Sequence, residues 1–215
     1  MKPDEMAQDG RDPPCVQCVL ADQCPAAPPL RRGARPRLFA RGARLQREGE
    51  RPAHLLFIKS GLLGVRQTGM DGVERAIAVI GPGFLVGQPL VHGQAAVLTV
   101  QALTSVSVCE LSLPVRIARY TRQSVLSLAG WSQVVRMPGP MRRLASALRL
   151  IAAFQPASAI QLPSQAVLAE LLCVTRESVN RAWRELEIRG IVRRRHARAV
   201  DLDMPALEKL LTADN

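Results

Sequence analysis

The sequence predicts an α+β protein: an N-terminal antiparallel β-roll, a helical middle and a C-terminal winged helix-turn-helix. Three observations predict it. From Leu38 to Leu113, short apolar runs alternate with turn signals. After Pro114 the apolar spacing becomes helical. Beyond Gln155-Pro156, two short capped helices flank a tight turn and are followed by two strand-like runs.

In the first region, His54–Ile58 is an apolar run closed by Ser60-Gly61. Gly69-Met70-Asp71-Gly72 is a hairpin signal between Leu63–Gln67 and Glu74–Ile80. Gly81-Pro82-Gly83 makes another turn, and Val97–Leu103 and Val106–Leu111 are two further strands. Many short strands at this spacing suit a closed antiparallel roll. In the second region, Ile117, Tyr120, Val125, Leu128, Trp131, Val134 and Val135 follow helical spacing until Pro138-Gly139-Pro140 interrupts it. Met141 to Phe154 resumes it with Leu144, Leu148, Ile151 and Ala152 on one side.

In the last region, Ser164 is an N-cap for a helix over Gln165–Leu172, and Cys173-Val174 a tight turn. Thr175 caps a second helix that begins Arg176-Glu177-Ser178-Val179-Asn180-Arg181. Ile191-Val192 and Ala199–Leu202 flank Arg193-Arg194-Arg195-His196 as a basic wing tip. The expected organisation is therefore residues 1–37 as a cysteine-rich loop, 38–113 as the roll, 114–154 as a helical region and 155–215 as the winged helix-turn-helix.

The formal net charge is +11 and the isoelectric point about 10.8, which favours a polyanionic partner. The excess concentrates at Arg31–Arg51 and Arg176–Arg198. No phosphate-cradling glycine loop, nucleophile–base pair or paired-acid motif stands out, so an enzyme is not expected. No apolar run reaches the roughly 18 residues of a membrane span without turn-formers, and the first residues lack a secretory apolar core. A cytoplasmic protein is expected. In such a setting five cysteines argue against a disulfide framework. Cys15, Cys18 and Cys24 crowd one short segment, where a zinc site, an iron–sulfur site and a thiol switch are all open readings.

The second helix of the pair carries polar groups suited to base edges. Arginine pairs bidentately with guanine and glutamate accepts from cytosine. Arg176, Glu177, Asn180 and Arg181 share one face near the first turn. This segment, with Leu186-Glu187-Ile188-Arg189-Gly190-Ile191-Val192, resembles the recognition helix of the Crp/Fnr regulators. The resemblance spans roughly Leu38 to Leu210, including Phe57–Gly61 and Gly81–Gly87 in the roll. It implies that Arg176, Glu177 and Arg181 read a TGA-like core in each half of a palindrome on double-stranded DNA. It also implies a homodimer built on the helix after Leu113, with RNA polymerase as a further partner. Two residues depart from the family: Cys173 stands where glycine is usual, and Asn180 where serine or glycine is. Dimerisation through Met141–Phe154 is an alternative, because Pro138-Gly139-Pro140 shortens the preceding helix.

In the nucleotide-binding branch of that family, a glutamate holds the ribose and an arginine the cyclic phosphate. Here the stretch after Gly83 has Gln88, and no Arg or Lys lies between Arg75 and Arg116, so no cyclic nucleotide is expected. Cys15, Cys18 and Cys24 with the distant Cys109 instead resemble the fumarate-nitrate-reduction (Fnr) oxygen-sensing branch. That resemblance implies a [4Fe-4S] cluster on Cys15, Cys18, Cys24 and Cys109, with oxygen or nitric oxide as the signal. The alternative is a regulator without a cluster, switched by thiol oxidation, zinc or a small apolar ligand. Cys173 reads as structural, and His54, His92 and His196 carry no expected metal role.

Overall fold

The computed structural model describes residues 18, 20–24, 34–111, 117–155, 159–196 and 199–212. The chain divides into two compact units, Met1–Arg75 with Val79–Val125, and Ala76–Ala78 with Leu126–Asn215.

Eight strands build the roll: β1 (Arg35–Phe39), β2 (Arg44–Gln46), β3 (Leu55–Ser60), β4 (Leu63–Thr68), β5 (Glu74–Ile80), β6 (Leu85–Val86), β7 (Thr99–Ala102) and β8 (Val106–Leu111); all lie in the first unit except Ala76–Ala78 of β5. They form two four-stranded sheets, ordered β1-β8-β3-β6 and β2-β7-β4-β5. Apart from the β4–β5 hairpin, successive strands switch sheets, which is how the predicted roll is built. The strands at the hairpin and at Val106–Leu111 form where the turn signals place them.

The N-terminal boundary is different. β1 begins at Arg35, inside the stretch expected to be loop, and β2 lies wholly within the basic run. Arg37 Nη1 lies 2.9 Å from Glu110 Oε2, and Arg44 Nη2 lies 3.7 Å from Glu74 Oε2. Part of that run's charge is therefore balanced inside the roll and does not mark a nucleic-acid surface.

β3 and β8 explain where the sheet is thickest. Leu55 pairs with Leu111 and Phe57 with Cys109, which puts these four on one face. Ile58 pairs with Val108 on the other. All six are buried, so this sheet is covered on both sides. The face carrying Cys109 is covered by Leu20 and by Tyr120 of α1 (Ala118–Val134).

The unit boundary falls inside α1, between Val125 and Leu126, and both of these residues are exposed. The second unit contains α2 (Gly139–Ala152), β9 (Ile160–Gln161), α3 (Gln165–Leu172), α4 (Arg176–Ile188), β10 (Val192–His196), β11 (Ala199–Leu202) and α5 (Met204–Thr212). The break before α2 is where the prolines predict it: Pro138 is extended and Gly139 adopts φ +70°. Leu144, Ala145, Ala147, Leu148 and Ile151 of α2 are fully buried within this unit. Their burial spends this apolar side of Met141–Phe154 inside the unit. Two neighbouring arginines of α2 cap other helices. Arg143 donates to the carbonyl of Leu172 at 3.1 Å and Arg142 to that of Leu211 at 3.0 Å. Cations at helix C-termini satisfy orphan carbonyls and complement the dipole.

Among the described residues no helix is long and apolar enough to cross a membrane.

Candidate nucleic-acid interface and cysteine site

Both predicted caps form. Ser164 Oγ accepts from Val167 N, and Thr175 Oγ1 accepts from Ser178 N at 3.1 Å. Cys173 closes α3 in the left-handed region, at φ +52°, ψ +47°. It is the sole non-glycine residue with positive φ among those described, and it takes the role for which glycine is suited. Its thiol is exposed.

α4 buries Val179, Ala182, Trp183 and Leu186. Its opposite side exposes Arg176, Glu177, Asn180 and Arg181, the four predicted readers, together with Arg184, which the sequence reading passed over. Glu177 and Arg181 form an i,i+4 pair at 3.1 Å, both largely exposed. This is a weak, easily exchanged contact. DNA can replace each partner at little cost.

β10 and β11 form the expected antiparallel wing, and β9 adds a third strand beside β11. The basic residues Arg193 to His196 lie in β10 itself, not beyond it. A cleft of about 380 Å³ is lined by Ser164 and Gln165 at the start of α3, Arg176 of α4, and Arg194 and His196 of β10. The Arg176 guanidinium and the N-terminus of α3 on one concave surface suit a phosphate backbone.

In the first unit, a short 3-10 turn over Ala21–Gln23 separates Cys18 from Cys24. Both cysteines are partly buried and pack against the apolar cluster of Leu20, Leu55, Phe57, Leu85, Cys109, Leu111 and Tyr120. Three of the four predicted ligands therefore come to one patch of the roll, across about 85 residues of chain between Cys24 and Cys109. Cys15 lies outside the described residues. No described cysteine is in a disulfide. Among the described residues no three His, Cys, Asp or Glu side chains stand close enough to enclose one metal ion.

Tyr120 joins this patch to α1. Its hydroxyl donates to the carbonyl of Gln23, and its ring meets Phe57 edge-on, centroids 6.1 Å apart. Burial raises the phenol pKa above its ordinary value; nearby Arg119 lowers it and Cys24 raises it by smaller amounts. Gly83 has φ +86°, a conformation that favours glycine, and the tip of the Gln23 side chain lies directly beside it. Gln88 completes the tie to α1. Its Nε2 donates to Ser124 Oγ at 3.1 Å, and its Oε1 accepts from Thr121 Oγ1 at 2.8 Å.

The comparisons agree with this architecture. Residues 36–115 match the cyclic nucleotide-binding domain, and residues 142–210 match the Crp-like helix-turn-helix domain. No curated protein matches the chain significantly in sequence. Among solved structures, a CRP-family transcriptional regulator of Thermus thermophilus is similar at 23% identity and TM-score 0.67, over 82% of this chain and 96% of that one. FixK2 of Bradyrhizobium japonicum is similar at 21% identity and TM-score 0.69, over 85% of this chain and 99% of that one. At these identities the likeness is one of fold. The two domain matches, in this order and covering most of the chain, place the protein in the Crp/Fnr family of DNA-binding transcription regulators.

Proposed function

We infer that this regulator senses oxygen or nitric oxide through a [4Fe-4S] cluster held by Cys15, Cys18, Cys24 and Cys109. The observation that carries the reading is the convergence of Cys18 and Cys24 on the apolar patch that contains Cys109. The donor set fits the group: soft thiolates suit iron, and an apolar floor of Leu55, Phe57 and Leu111 limits water around it. A four-cornered cubane also tolerates thiolates further apart than the single tetrahedral ion that zinc would require. When bound, the cluster supplies reactivity toward oxygen and nitric oxide.

The chain's own residues supply the transmission. Ligation at Cys18 and Cys24 holds the Ala21–Gln23 turn against the roll. Tyr120, bonded to Gln23, then fixes the first turn of α1, and Gln88 holds the next turn through Thr121 and Ser124. Val125 and Leu126, exposed further along α1, form the contact for a second copy. In that homodimer two α4 helices sit about one DNA turn apart and read a palindrome with a TGA-like core through Arg176, Glu177, Asn180 and Arg181. RNA polymerase is the expected partner of the DNA-bound dimer.

The roll is read as taking no cyclic nucleotide. Gln88, in place of a ribose-binding carboxylate, is spent on Leu85, Ser124 and Thr121, and no Arg or Lys lies from residue 76 to 115 to meet a cyclic phosphate. The test is anaerobic purification with iron and sulfide assay. Iron and sulfide in near-equal amounts support the cluster. Protein that contains neither, yet changes DNA affinity after peroxide, supports the thiol switch instead.

A further inference from the structure

Three side chains join the recognition helix to the wing. Trp183 Nε1 donates to Glu187 Oε1 at 2.8 Å, one turn along α4. Arg194 Nε, on β10, donates to the same oxygen at 2.7 Å. The Arg194 guanidinium lies over the Trp183 ring, 5.4 Å from its centroid. Trp183 is 5% exposed, so the triangle rests on a buried ring and not on a solvated side-chain tip. Each of the three residues is held by both others.

The arrangement runs against simple electrostatics. Glu187 is an anion on the unit that must meet a polyanion, and it neutralises a wing arginine beside the basic cleft. We propose that Glu187 and Trp183 hold Arg194 as a positioning residue, which fixes the wing against the recognition helix before DNA arrives. Arg194 is then not one of the phosphate-neutralising cations. Its service is geometric: with the wing already ordered, helix and wing engage the duplex in one register, and no ordering cost falls on binding. Arg195, bound to Asp201 at 2.8 Å, stiffens the wing from within but makes no bond to α4.

The sign of one substitution separates the two roles. The probe is the tightest duplex that the wild-type chain selects from a random pool, titrated at several salt concentrations. Removing a carboxylate near DNA should tighten binding if charge alone matters. Positioning predicts that E187A weakens it at least about fivefold, and that E187Q, which keeps an oxygen acceptor, weakens it less. R194A should weaken binding with an unchanged salt slope, whereas loss of one phosphate contact lowers the slope by about 0.9. The chain has two tryptophans, so W183F assigns the Trp183 indole N–H resonance. Without DNA, that resonance should move in E187A. Tighter or equal binding by E187A, or a slope lowered by about one phosphate in R194A, overturns the proposal. If E187A does not fold, E187Q and R194A decide by the same criteria.

Discussion

The hydroxyl of Tyr120 donates to the backbone carbonyl of Gln23, so the first turn of α1 is bonded to the turn between two cysteines. The bond crosses 97 residues of sequence and links the segment expected to sense with the helix expected to dimerise. Phe57, edge-on to the ring, and Leu55 in the same buried cluster make the contact a packed one.

Y120F keeps the ring and removes this bond. A net hydrogen bond contributes about 1 kcal/mol, so dimerisation should weaken roughly fivefold. Iron content should stay unchanged, since no cysteine is altered. Anaerobic sedimentation against protein concentration measures the shift. A normal dimer in Y120F would show that Tyr120 transmits nothing.

Tyr120 is the only tyrosine in the chain, so absorbance near 295 nm follows its phenol alone. In metal-free folded protein the midpoint should lie above 10.0, because burial disfavours the phenolate. The sign follows: a folded pKa above the unfolded one gives stability present below the unfolded value and lost as pH rises through the folded value. Denaturant unfolding measured across roughly pH 9 to 12, the phenol range, should therefore show stability falling in Tyr120 protein more steeply than in Y120F.

R181A and E177A should each reduce discrimination at one base position by about 1–3 kcal/mol. The pair they form is exposed, so thermal stability should hardly change. Binding to single-base variants of the selected duplex checks this. A uniform loss on every sequence would reassign either residue to the phosphate backbone.

C173G should stabilise the second unit. A left-handed non-glycine residue costs about 1–2 kcal/mol, and glycine's extra unfolded-state freedom returns roughly 0.5–1 kcal/mol. The net gain of up to about 1.5 kcal/mol should raise Tm by a few degrees. A lower Tm would mean the exposed Cys173 side chain makes a stabilising contact of its own.

The sequence made the roll and the helix-turn-helix legible because their signals are local. Gly69–Gly72, Ser164 and Thr175 act within a few residues of themselves, and each forms the turn or cap expected of it. β1 and β2 escaped because arginine masks strand character, and the partners Glu110 and Glu74 lie 73 and 30 residues away. α5 was legible but passed over: Asp203 Oδ1 accepts from Ala206 N, and Pro205 stands in the first turn. Tyr120 and the Trp183–Glu187–Arg194 triangle could not be read. Their meaning depends on contacts between elements, and side-chain spacing along one element does not encode them. The cysteine pattern was visible, whereas the apolar floor beneath it came only with the register of β3 on β8.

The most direct test of the central claim is one titration. Anaerobically purified protein is assayed for iron, sulfide and broad absorption near roughly 400 nm, the cluster signature, and its DNA affinity is measured before and after air. Wild type and C173A should contain iron and sulfide, C18A, C24A and C109A should lose them, and DNA binding should collapse as the absorption bleaches. Metal-free protein whose affinity is the same before and after air, with C109A equal to wild type, would contradict that claim.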